Sequence, residues 1–261
     1  MRAITAASHL LVAAGVLALA ASASAAEIKV FISGGFSAAY DTLVPAFERT
    51  TGHKVVTEGG PSMGETPQAI PNRLARGESA DVVIMVGYAL DKLIKKDLIA
   101  ADSRVGLAWS PIAMAVKAGA VKPDISTVDN FKKALLAAKS IAYSDSASGV
   151  YLSTTLFQRI GVYDQIKDKS RKIPAEPVAK VVARGEAEIG FQPVSELRPF
   201  KGADIVGPIP DELQIVNVFA AGVTKRAKEP EAAKALIAYL ISPAAKPAIE
   251  ASGMLFAKEK E

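Results

Sequence analysis

Residues 81–86 read DVVIMV, five apolar side chains in succession behind one aspartate. A strand with one wet face alternates apolar and polar residues; one that is apolar at every position must be covered on both faces. The flanking segments supply that cover. Residues 27–33 (EIKVFIS) form a short β-rich run. Residues 38–50 place Tyr40, Leu43, Val44 and Phe47 on one helical face, and Thr51-Gly52 stops the helix. Residues 53–57 (HKVVT) read as a strand, followed by a turn cluster at 58–62. The spacing predicts helices over 66–76, despite Pro67 and Pro71, and over 90–98. This β-α-β-α-β-α order implies a parallel sheet with helices packed on it.

A second α/β unit follows. Residues 106–116 read as extended. A helix within 123–139 is lined by Phe131, Leu135 and Ala138, and 140–144 form a strand. The loop 145–149 opens a helix over 150–160; another helix spans 177–185, and 188–192 form a strand. Segments 204–209 and 214–223 read as strands returning to the first unit, and 230–240 and 244–252 as closing helices. The expected architecture is therefore α/β: a two-lobed clamshell, each lobe a mixed, mainly parallel sheet flanked by helices, with two hinge crossings. The boundaries expected are a leader at 1–26, lobe 1 at 27–104 and 205–261, and lobe 2 at 105–204.

The leader reading rests on Arg2, a short apolar core at 10–20 and the small-residue run at 21–26, the pattern of a cleaved secretory signal. The core is short for a membrane span, and no cysteine follows for lipid attachment. Cleavage leaves 235 of the 261 residues, bound for the periplasm. With no cysteine and two histidines, His9 and His53, thiolate zinc sites, disulfide frameworks, cysteine nucleophiles and histidine-clustered metal sites are excluded. No phosphate-binding glycine loop or nucleophile elbow is present. One tryptophan and 6% aromatic residues argue against a nucleic-acid platform. The 31 basic and 27 acidic residues leave a small, dispersed positive balance.

In open α/β sheets ligands bind beyond the carboxyl ends of the strands, which directs attention to five loops. They contribute Ser33, Gly34, Gly35 and Phe36; then Ser62, Met63 and Gly64; then Tyr88; then Ser148, Gly149, Val150 and Tyr151; and last Gln192, near Ser195. Hydroxyls, amides and helix N-termini of this kind suit a small anion. Each loop alone reads equally well as a capped turn. Arg104, at the expected first crossing, offers a bidentate fork for a carboxylate, or serves as a solvated surface arginine. Asp145, Glu196 and Tyr151 are the acid/base candidates. Capping or surface pairing is the reading given to the two carboxylates, and a strand-edge role to His53.

The stretches IKVFISGGFSAAYDTLVPAFERTTGHKV, RGESADVVIMVGYALDKLIKKDLI, SASGVYLSTTLFQRIGVYDQIKDK and VAKVVARGEAEIGFQPVSEL resemble, in order and spacing, the periplasmic molybdate-binding-protein family. These are type 2 solute-binding proteins of ABC transporters, and the family has a divergent branch that includes aconitate isomerase-like proteins. The resemblance implies two lobes closing on a small anion, no cofactor or metal, a monomer, and a transporter permease as partner. Molybdate binders carry a first-loop serine where this chain has Gly35. Their second-loop serine matches Ser62, and their tyrosine falls near Gln192–Pro193. The changed site implies a small organic carboxylate in place of a molybdate-type oxyanion. The alternative it implies is isomerisation of aconitate on the same scaffold, with the acid/base group unassigned.

Overall fold

The computed structural model describes residues 25–215 and 217–256; the leader expected at 1–26 lies, but for its last two residues, outside them. The first lobe is built from β1 (Glu27–Ile32), α1 (Gly34–Thr51), β2 (Lys54–Gly59), α2 (Ile70–Ala75), β3 (Val82–Val86), α3 (Gly87–Lys95) and β4 (Val105–Ser110). The second runs through β5 (Ile112–Lys117), α4 (Val128–Ala137), β6 (Ile141–Ser144) and α5 (Ala147–Tyr151). It continues with α6 (Phe157–Arg159), α7 (Tyr163–Ile166), β7 (Ser170–Ile173), α8 (Val178–Ala183), β8 (Ile189–Pro193), α9 (Val194–Leu197) and β9 (Ala203–Pro208). The chain then returns through β10 (Asn217–Val223), α10 (Pro230–Leu240), α11 (Lys246–Ala251) and β11 (Leu255–Phe256).

The first sheet has six strands in the order β11-β4-β10-β3-β1-β2, the second five in the order β7-β6-β8-β5-β9. β1 lies parallel to β2 and β3, while β10 runs antiparallel to β3 and β4. In the second sheet β6 lies parallel to β7 and β8, and β5 is antiparallel to β8 and β9. Both sheets are mixed but neither is mainly parallel as expected, because the strands that return between the lobes pair antiparallel. As its composition requires, β3 is buried at all five positions. The α1 face seen in the sequence is buried too, with Phe36 and Ala39 added to it. Each such large side chain stabilises the lobe by roughly 1.5–3 kcal/mol. His53 has the expected strand-edge role: its Nδ1 accepts the Ala26 N–H at 3.1 Å.

The sheets divide the chain later than the expected boundaries at 104/105 and 204/205. β4 belongs to the first sheet and β9 to the second. The stretch read as one extended run is two strands broken at Pro111, whose missing N–H ends the ladder. The return crossing follows β9 and passes Gln214. That side chain accepts the Ile112 N–H at 3.0 Å and donates to the Ile112 carbonyl at 2.8 Å, joining the two crossings.

Local differences have similar causes. α1 begins at Gly34, four residues before the expected start. α2 is confined to Ile70–Ala75, because Pro71 is tolerated only in a first turn. The helix expected at 150–160 begins at Ala147 and contains a π-helical turn, Leu152–Leu156. β7 went unread because it is a short strand with exposed Arg171 and Lys172 at a sheet edge.

Candidate functional site

The carboxyl ends of β1, β2, β6, β7 and β8 converge on one cavity of about 490 Å³ between the lobes. The first lobe contributes Ser33 and Gly34, then Ser37 and Asp41 along α1, and Gly59–Ser62 after β2. The second contributes Ser144–Ser146, Ala175–Pro177, Gln192, Ser195 and Glu196. Thus Ser33, Gly34, Ser62 and Gln192, all expected from the sequence, are brought together.

Ser33 precedes α1, an 18-residue helix; the Phe36 N–H donates back to the Ser33 carbonyl at 3.4 Å, while the N–H groups of Gly34 and Gly35 precede any intrahelical acceptor. The Ser33 hydroxyl is buried without a hydrogen-bond partner, and so is that of Ser195 across the cavity. Such orphaned hydroxyls are costly unless something completes them. The Ser62 hydroxyl, by contrast, is tied to the end of β3, accepting the Val86 N–H at 3.1 Å.

The other expected residues lie elsewhere. Gly35 faces the core: a Cβ there would stand 1.9 Å from the Phe219 ring. Phe36 is fully buried, and Met63 packs against first-lobe core residues. Gly64 adopts φ +109°, and a Cβ on it would meet Asp145 Oδ2 at 3.0 Å, so it serves close approach of the lobes. Tyr88 stands exposed on α3 beside Lys92. Ser148 and Gly149 lie within α5 and not in the expected loop, while Val150 and Tyr151 are helical as expected. The Ser148 hydroxyl faces Ser144, and Gly149 lets α5 sit against β6, where a Cβ would fall 1.7 Å from the Ser144 carbonyl oxygen. Val150 lends its carbonyl to Thr154, and the Tyr151 hydroxyl donates to the Leu213 carbonyl at 2.7 Å.

Arg104 is likewise corrected. Its Nε donates to Asp91 Oδ1 at 2.5 Å on the outside of the first lobe, and it does not reach the cavity. Arg104→Ala is therefore expected to leave ligand affinity unchanged. It should cost no more than about 1 kcal/mol of stability, since the pair is solvent-screened; calorimetric titration alongside urea unfolding checks both.

The cavity carries four carboxyl groups, Asp41, Asp145, Glu176 and Glu196, and no Lys or Arg. Glu176 is held below its ordinary range by Arg184, which grips it at 2.6 Å from outside. Burial raises Asp41 and Asp145, the latter against opposing backbone hydrogen bonds, chiefly that of Ala175. Glu196 stands apart. It neither caps a helix nor pairs with a cation, the two roles its sequence position suggests. The residue is part-buried and lines the cavity. Burial lifts it to about 7, against a hydrogen bond from Gln192 that favours the charged form. Gly34 marks its position across the lobes: a Cβ there would lie 3.6 Å from the Glu196 carboxyl carbon.

The raised affinity has a thermal consequence. Below about pH 4.5 the folded and unfolded chains both hold the proton. Between there and about 7 only the folded chain retains it, so stability falls as pH rises through that window, by up to roughly 3 kcal/mol. Glu196→Gln is expected to melt higher than the parent above pH 7, with the difference vanishing toward pH 4.5; melting curves across that range read it.

Comparison with known proteins accords with this arrangement. The sequence pattern of the bacterial extracellular solute-binding proteins matches residues 28–255. The chain belongs to that family. A curated aconitate isomerase from Pseudomonas sp. is 54% identical over 227 residues, covering 87% of each chain. The molybdate-binding protein ModA of Azotobacter vinelandii is 29% identical over 255 residues, 94% of this chain and 96% of its own. Among solved structures, the A. vinelandii periplasmic molybdate-binding protein superposes with a TM-score of 0.71 at 22% identity, over 88% of this chain and 99% of that one. This solute-binding protein thus has the type 2 fold expected of it, within the molybdate-binding-protein-like family and its aconitate isomerase-related branch.

Proposed function

We propose that this solute-binding protein isomerises an unsaturated tricarboxylate, interconverting trans- and cis-aconitate. The observation that carries the reading is Glu196: a buried carboxyl group poised near 7, on the cavity wall beside the N-terminus of α1. Moving the double bond of aconitate requires removal of a proton from the methylene carbon and its return to the far end of the three-carbon unit. Glu196 as carboxylate takes that proton as the C–H bond breaks. The electron pair spreads over the allylic carbons and the attached carboxylate, and protonated Glu196 forms the new C–H bond at the other end. No oxidant or reductant is consumed. A base with affinity near the working pH suits both halves of the step. The α1 N–H groups and the Ser33 and Ser195 hydroxyls are placed to hold substrate carboxylates and the charge that develops on one of them. The 54% identity to an aconitate isomerase supports the same reading.

A second reading is capture of a small anion for a membrane transporter permease, favoured by the end-to-end similarity to ModA. In either case the chain is expected to be exported by cleavage of its first 26 residues and to work in the periplasm as a monomer. One feature speaks against molybdate: the position of the first-loop serine is filled by the Phe219 ring.

Thermal shift with Glu196→Gln, which separates binding from turnover, tests the ligand class. Tricarboxylates are expected to raise the melting temperature saturably, and molybdate to leave it unchanged. A strong molybdate shift with none from carboxylates would defeat the proposal.

A further inference from the structure

We propose that Gln192, expected from its loop to touch the ligand, is instead a positioning residue that clamps one oxygen of Glu196 and turns the other toward the substrate. The inference rests on the reading of Glu196 as the proton carrier and adds which of its oxygens does the work.

Gln192 lies on β8 with 4% of its surface exposed, and both ends of its amide are engaged. Its Oε1 accepts the Ala179 N–H at 3.4 Å, a first-turn donor of α8 with no intrahelical acceptor. With the oxygen directed there, the amide nitrogen must face α9. It donates to Glu196 Oε2 at 2.6 Å, a short hydrogen bond.

An amide NH₂ has no lone pair with which to accept a proton. When Glu196 is protonated, its proton therefore sits on Oε1. That oxygen is the one facing Gly34, 3.8 Å from where a Cβ on that residue would be, at the start of α1. The clamp also restrains the effect of burial, because a donor to Oε2 favours the carboxylate.

No other group replaces it. From α1 the facing group is Asp41, from the β6–α5 junction Asp145, and from the loop before α8 Glu176, already gripped by Arg184. On the far side of α9, Arg198 is spent on the Ala251 carbonyl. Without the Gln192 amide, Glu196 loses the one hydrogen bond that favours its charged form, and its proton is held more tightly.

The test uses the full chain labelled with ¹³C at its glutamate carboxyl carbons, with Glu196→Gln to assign the resonance. The parent carboxyl is expected to titrate near pH 7. In Gln192→Met, which keeps the length of the side chain and loses the donor, the midpoint should rise by a pH unit or more, a tenfold or greater gain in proton affinity. Gln192→Leu removes the same donor without adding a charge, and serves if the methionine variant fails to fold; its midpoint should rise likewise. The acid limb of the pH profile for aconitate conversion should move by the same amount. An unchanged midpoint in a folded variant overturns the positioning role. A raised midpoint in a protein that converts no aconitate supports the clamp and overturns the proposed reaction, so the two are separable.

Discussion

Glu196→Gln is expected to slow trans-/cis-aconitate interconversion by about 10²–10⁴-fold, the usual worth of a positioned acid–base group, while tricarboxylate affinity changes only a few-fold. Glutamine keeps the shape of the side chain and can still accept from Gln192, so the cavity should persist. What is removed is the carboxyl group beside α1 that burial lifts to about 7. The same substitution should make the protein more heat-stable above pH 7. Activity and stability moving in opposite directions is the signature of a buried carboxyl group kept for its chemistry. Retention of a tenth or more of the parent rate, measured by chromatography of the aconitates, would remove Glu196 from the mechanism.

Gly35→Ser should be the most damaging substitution near the site. The seryl Cβ would lie within 1.9–2.7 Å of three carbons of the Phe219 ring, which is 1% exposed and held in the first-lobe core. Neither the ring nor the start of α1 can yield without opening that core. The loss is expected to be about 3 kcal/mol or more, read as a lower urea midpoint with an unchanged slope. Phe219→Ala should cost clearly less in the Gly35→Ser background than in the parent, which marks the clash as the cause and not helix propensity. The serine should bring no affinity for molybdate. A stable Gly35→Ser protein that binds molybdate would mean that one side chain separates the two ligand classes, contrary to the packing seen here.

The architecture was legible because its signals are local. The run at β3 demands cover on both faces, and the spacing of Tyr40, Leu43, Val44 and Phe47 supplies part of it. The cavity was half legible: strand ends pointed to Ser33, Gly34, Ser62 and Gln192. Gly35 and Gly149 misled because a glycine that lets a ligand approach and one that lets a ring or a strand approach read alike. Arg104 misled because the hinge was expected too early; Pro111 marks the crossing, and Arg104 stays on the first lobe beside Asp91. Glu196 was weighed and set aside because its environment is made between lobes. α9 follows β8 without a loop, which carries the carboxyl group across to α1, and no spacing within the chain expresses that contact.

The most direct measurement is ¹H NMR of trans-aconitate incubated with the purified protein at pH 7, beside a Glu196→Gln control. The vinyl resonance of cis-aconitate is expected to grow to a constant trans/cis ratio with the parent protein and to stay near background with the variant. A parent protein that leaves trans-aconitate untouched at stoichiometric concentration would contradict an isomerase and leave a binding protein in its place.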